Sequence, residues 1–177
     1  SYVRSLQSLN SPFDEYVRDD ETKLTKAEKK GFNLFSGKAK CATCHFIPLF
    51  NGVVPPFYAN TESEVIGVPK TKNKNPAELD DDLGKYLFIQ SEIYKHSFKT
   101  PTLRNIELTA PYMHNGVFET LEEVMEFYNN GGGKGLHIAP KYQTLPFDKL
   151  NLSKKEIKDI ISFMKTLTDT TTAKKLY

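Results

Sequence analysis

Residues 41–45 read Cys-Ala-Thr-Cys-His. Two thiols at this spacing stand about one helical turn apart, so both can add to the two vinyl groups on one edge of a porphyrin. The histidine that follows is carried beneath the ring, where its imidazole reaches the iron. The run therefore points to a covalent c-type haem, with Cys41 and Cys44 in thioether bonds and His45 as proximal iron ligand. Competing readings explain less. A Cys41–Cys44 disulfide gives the adjacent histidine no role. A redox dithiol calls for a βαβ pattern, which is missing around it. A tetrahedral zinc site needs four ligands, and no second Cys/His pair stands at finger spacing.

Working outward, the chain has 177 residues, enough for one domain with long loops. Hydrophobic residues make up 38% and the mean hydropathy is −0.49, so the core is modest and a bulky prosthetic group would fill part of it. Both cysteines lie in the motif, which leaves none for a structural disulfide. Attachment of this kind of haem takes place outside the cytoplasm in bacteria, so a periplasmic, exported protein is expected. The first twenty residues carry no signal peptide and no apolar run reaches membrane-spanning length, which reads as a mature form with no membrane span. A net charge of +2 is too nearly balanced for nucleic-acid binding. Lysines 70, 72 and 74, and 154, 155 and 158, read as solvated faces, on which an acidic redox partner could dock.

Local signals give a helical chain. Val3, Leu6 and Leu9 read as the tail of a helix, followed by a turn at Ser11-Pro12. Thr25 with Glu28, Thr120 with Glu123 and Ser153 with Glu156 are capping boxes, each opening a helix. The first helix runs to about Phe35 and stops at Gly37. The second places Leu121, Val124, Met125 and Tyr128 on one face. The third carries Ile157, Ile160, Ile161, Met164 and Leu167. Residues 46–100 are broken repeatedly by Pro and Gly (Pro55 among them), as suits loops wrapped around a cofactor. Gly131–Gly135 reads as a helix stop and flexible loop. No hairpin is evident. The expected fold is all-α: a cytochrome c-like helical domain with long loops around one covalently bound haem. Residues 1–22 are expected to form an N-terminal helix and linker, and 23–177 the haem domain.

Longer runs carry a family resemblance. Phe98-Lys-Thr-Pro-Thr-Leu-Arg-Asn105 continues into Leu108-Thr-Ala-Pro-Tyr-Met-His-Asn-Gly116, then Thr120-Leu-Glu-Glu-Val and Phe127-Tyr-Asn-Asn-Gly-Gly132. Ser11-Pro-Phe-Asp, Lys29 to Lys38 and the terminal helix fit the same pattern. Together with the haem motif they resemble the C-terminal haem domain of the bacterial dihaem cytochrome c peroxidases and MauG-type enzymes. That resemblance implies a haem c domain that relays electrons in a periplasmic peroxidase, which reduces hydrogen peroxide to water. A small cytochrome c or copper protein would be the electron donor. Only one C-x-x-C-H is present, so the family's N-terminal haem domain is missing from this chain and is an expected partner, as is a second copy in a homodimer. A stand-alone monohaem electron carrier and a MauG-type oxidase acting on a partner protein are the alternative functions.

The resemblance also names site residues. The position of the second axial ligand falls on Tyr128, with Met113 and Met125 as alternatives. An aromatic or methionine on an apolar helix face is otherwise ordinary packing. His114 lies inside the family run and is a weak catalytic candidate, whereas His96 and His137 have no assigned role. Arg104 could pair with a haem propionate, since a guanidinium matches a carboxylate bidentately. Calcium is implied at backbone carbonyls of Thr109 and Pro111.

Overall fold

The computed structural model describes residues 8–54, 56–144 and 148–169. The expected helical tail at Val3 and Leu6, and Pro55, lie outside these residues. Helices α1 (Pro12–Val17), α2 (Lys26–Ser36), α3 (Tyr86–Ile89), α4 (Leu121–Asn129) and α5 (Lys154–Lys165) are joined by loops and short 3-10 turns. One antiparallel pair, β1 (Ser63–Glu64) with β2 (Phe98–Lys99), sets Ser63 opposite Lys99 and Glu64 opposite Phe98. This helical architecture with few strands is compatible with a cytochrome c-like fold.

Local chemistry explains where the long helices begin. Thr25, Thr120 and Ser153 each accept from the backbone N–H three residues on, and Glu28, Glu123 and Glu156 bond back to the cap. These reciprocal bonds satisfy donors that a helix start leaves free. Ser11 is a fourth such cap, not the turn expected there: its hydroxyl accepts from Asp14 N and Asp14 returns the bond. Pro12 takes the first helical position, where a missing N–H costs nothing. Phe13, on α1, packs into the main core.

That core forms where α2 crosses α5. At Gly31 the backbones nearly touch: a β-carbon there would fall 1.9 Å from the Asp159 carbonyl oxygen. Around the crossing, Phe13, Phe32, Phe35, Phe50 and Phe163 pack ring against ring, with centroids 5.2 to 5.9 Å apart. The Phe50 ring therefore anchors the chain just downstream of the haem motif.

The glycine run is also firmer than expected. Gly132 and Gly133 are buried in a 3-10 turn (Gly132–Leu136), and Gly133 N donates to Ile66 O. Gly133 lies so close to Gly67 that a β-carbon on it would meet the Gly67 α-carbon at 2.8 Å. The run is a packed junction, which is why side chains are missing from both strands of the contact.

Candidate haem centre

The motif begins where α2 stops. Lys40, in the left-handed region, turns the chain into a 3-10 turn over Cys41–Thr43. His45 N donates to Cys41 O at 2.9 Å, so residues 41–45 make one helical turn and carry both thiols and the imidazole together. Both cysteines are free thiols. Burial pushes Cys41 up to about 12, and burial with the nearby Glu64 charge pushes Cys44 up to about 11. A redox-active dithiol shows the opposite shift, toward thiolate. The pair is thus poorly suited to disulfide exchange.

His45 is held by two carbonyls. Its Nδ1 lies 3.0 Å from Phe50 O and 3.1 Å from Pro101 O. Carbonyls only accept, so Nδ1 carries the proton and the Nε2 lone pair is available for a metal. Burial lowers the imidazole's affinity for a second proton, against the two backbone hydrogen bonds. The ring is therefore neutral at pH 7, with Nε2 making no hydrogen bond among the described residues.

The carbonyls are fixed by a clamp. Thr102 Oγ1 donates to Leu49 O at 2.6 Å and Leu103 N to Phe50 O at 3.0 Å. Arg104 Nη2 donates to Pro48 O at 2.7 Å. The same guanidinium binds Asp14 at 2.7 and 2.8 Å, and its remaining N–H groups reach Pro48 O, Ser8 O and Ser11 Oγ. Arg104 is only 8% exposed. The expected propionate contact is therefore not available to it: every N–H is already bonded, and its role is to brace the loop behind His45.

Tyr128 faces the motif from α4. Its phenol feels Cys41, Cys44 and Glu64, and burial first, then those groups, push its ionisation well above the ordinary value. The ring meets Phe127 edge-on at 5.5 Å. Its hydroxyl has no hydrogen-bond partner among the described residues, whereas the buried Tyr112 hydroxyl donates to Ile106 O at 3.0 Å. Buried phenols normally find such a partner. Cys41, Cys44, His45 and Tyr128 all keep some accessible surface although burial dominates the protonation of each. Two buried hydroxyls on the segment leading to Pro101, Ser97 Oγ and Thr100 Oγ1, are likewise unpartnered. Paired thiols, an oriented imidazole lone pair and an unengaged phenol fit a c-type haem.

Met125 is packed in the core, and Met113 is half-buried on a loop. His114 stacks on Phe98 with centroids 3.6 Å apart and bonds Asp80 at 3.0 Å. Asp80 also accepts from Asn115 Nδ2 and Asp82 N. Burial raises the Asp80 carboxyl, but these bonds outweigh it and hold it at about 2. His114 is thus a tie between two loops. His96 Nδ1 donates to Asp82 O, and His137 caps the glycine turn. Thr109 and Pro111 are exposed, and no group of three or more His, Cys, Asp or Glu side chains is arranged to hold a metal ion among the described residues. Lys70, Lys72 and Lys74 are paired with Asp81, Glu119, Glu123 and Glu126. Glu64 went unnoticed in the sequence: no motif marks it, and it bears on Cys44 only in the folded chain, where β1 sets it opposite Phe98.

No protein-family model matches the chain. Among curated proteins, it is 36% identical over 178 residues to the cytochrome-c peroxidase IdrP2 of Pseudomonas sp. (strain SCT), covering 94% of this chain and 46% of that one. It is 31% identical over 169 residues to the methylamine utilization protein MauG of Methylorubrum extorquens, covering 94% and 42%. A solved MauG-like protein associated with microbial copper homeostasis superposes with a TM-score of 0.72 at 28% identity, over 92% of this chain and 52% of that one. The dihaem peroxidase BthA of Burkholderia thailandensis shares the fold, with a TM-score of 0.66. The chain is thus homologous over nearly all its length to cytochrome c peroxidases and MauG, and spans about half the length of these relatives. No helix among the described residues is long and apolar enough to cross a membrane.

Proposed function

We propose that this chain is a haem c domain of a periplasmic peroxidase, corresponding to the C-terminal half of its relatives, and that it relays electrons toward peroxide reduction. Cys41 and Cys44 would hold the porphyrin by thioether bonds, and His45, through Nε2, and Tyr128, through its hydroxyl, would bind the iron. When bound, the haem supplies a one-electron iron couple. The chain's own residues set its conditions. Phe50 and Pro101 carbonyls fix the His45 tautomer and ring plane, and Arg104 with Asp14 holds the loop that presents Phe50. The buried phenol of Tyr128 is costly to ionise alone, and a metal cation offsets that cost.

The observation that carries this reading is the juxtaposition of an unengaged Tyr128 hydroxyl with the two thiols and an oriented His45. A phenolate ligand favours oxidised iron and fills the coordination site, which suits electron transfer better than peroxide binding. Small cytochromes or copper proteins fit as donors, and the peroxide-reducing step belongs to the remainder of a longer protein.

Two measurements on haem-loaded protein test this. In Tyr128→Phe the ferric absorption and EPR spectra should change to those of an altered or open sixth position; an unchanged spectrum excludes Tyr128 as ligand. Stopped-flow mixing with a reduced small cytochrome should reduce the haem, while the chain alone should not turn over hydrogen peroxide. Steady turnover by the chain alone contradicts the relay role. Tyr128 and the similarity to MauG favour a second reading, an oxidase acting on a partner protein, for which oxidation of protein side chains by the peroxide-treated holoprotein is the distinguishing product.

A further inference from the structure

Among the described residues, the Glu64 carboxylate bears on three residues of the centre. Its charge bears on Cys44, His45 and Tyr128, and its strand is tied to the segment that holds His45, since Glu62 O accepts from Thr100 N, next to Pro101, whose carbonyl lies 3.1 Å from His45 Nδ1. The backbone around it is pinned on both sides. Gly52 O binds Glu62 N at 2.8 Å, Glu62 O accepts from Thr100 N at 3.2 Å, and Val65 N donates to Thr144 Oγ1 at 3.0 Å. Glu64 itself pairs with Phe98 in the β1–β2 ladder. Val65 is buried, so strand alternation sends Glu64 to the opposite face.

No cation compensates it. Ion pairs among the described residues run from Lys23–Glu15 to Lys165–Glu107 and include neither Glu64 nor Glu62. The nearest lysine by sequence pairing, Lys85, donates to Ser63 Oγ at 3.1 Å and lies over the Tyr94 ring at 4.2 Å. Lys99 stands opposite Ser63 in the ladder and is exposed. Glu62 adds a second negative charge, and burial together with Glu64 pushes its carboxyl up. A half-buried carboxylate without a counter-charge weakens a fold, and such groups concentrate where function needs them.

We infer that Glu64 is a positioning charge that sets the reduction potential of the haem, holding it low by stabilising ferric over ferrous iron. The inference rests on the haem reading above. Oxidised iron carries one more positive charge than reduced iron, so a fixed anion beside the residues that would hold the haem favours the oxidised state. Because Glu64 is not an iron ligand, it acts through space and leaves the coordination unchanged.

Optical redox titration of the haem-loaded protein at fixed pH and ionic strength tests this. Glu64→Gln removes the charge and keeps the shape. Its reduced-to-oxidised ratio at a given ambient potential should rise about tenfold, equivalent to about 59 mV for one electron. The ferric spectrum should stay the same. Glu64→Asp should keep the wild-type potential, Glu62→Gln should move it less, and Glu64→Ala should repeat the sign should the amide repack. An unmoved potential in Glu64→Gln, an equal shift in Glu62→Gln, or a changed ferric spectrum overturns the inference while the haem reading stands. Failure of the wild-type chain to acquire haem at all overturns both.

Discussion

At the scale of single residues, the centre depends on groups that hold its ligands. Arg104 and Asp14 form a buried bidentate ion pair, and removing one member leaves the other charged and unpaired. Arg104→Ala should cost about 3 to 5 kcal/mol of folding stability, read by urea denaturation. It should also loosen the loop behind His45, visible as broadened ferric EPR lines; a loss under about 1 kcal/mol contradicts the clamp. Asp80 gives a pH signature. Its carboxyl sits at about 2, below the ordinary 3.8, so the stability it contributes is full above that ordinary value. It is lost as pH falls from about 4 toward 2. Asp80→Asn should flatten the acid limb of a stability-against-pH curve over that range, and an unaltered limb excludes the His114–Asp80 tie. Cys41, Cys44 and His45 were legible in sequence because chemistry demands them consecutively. Arg104's partners, Asp14 and Pro48, are far away in sequence, so only the folded chain shows that its donors are already bonded.

At the scale of elements, helix starts were legible and helix contacts were not. Capping boxes are local, since cap and third residue bond each other within one turn, and the boxes at Thr25, Thr120 and Ser153 could be read directly. Ser11 was missed because Pro12 reads equally as a turn, and Asp14 is a less familiar third residue than Glu. Gly31 illustrates the other limit. It looks like a weak point inside α2, yet it is where α5 comes closest. Gly31→Ala should destabilise the chain by at least about 1 to 3 kcal/mol, because backbone oxygen cannot move aside as a flexible side chain would. Thermal melting of the variant decides this; a gain in stability, as expected for alanine in an isolated helix, contradicts the crossing.

At the scale of the whole molecule, the helical reading followed from three capping boxes, two apolar helix faces and a loop-rich middle. The middle itself resisted reading. Its β1–β2 pair is only two residues long on each side, and α3 is a single exposed turn, so neither has enough periodicity to show. The strand pair nonetheless holds Glu64, opposite Phe98. The five-ring phenylalanine cluster ties α1, α2, α5 and the loop after His45 into one body. Phe163→Ala should therefore cost about 3 to 5 kcal/mol and impair haem retention geometry along with folding.

Covalent haem at residues 41–45 is the premise on which ligation, relay and Glu64 all depend. Intact-protein mass spectrometry, after expression in a host with haem-attachment machinery and export, tests it directly. The chain should gain the mass of one haem and show a Soret band, and Cys41→Ala/Cys44→Ala should show neither. An unmodified mass with colourless, correctly folded protein would contradict it.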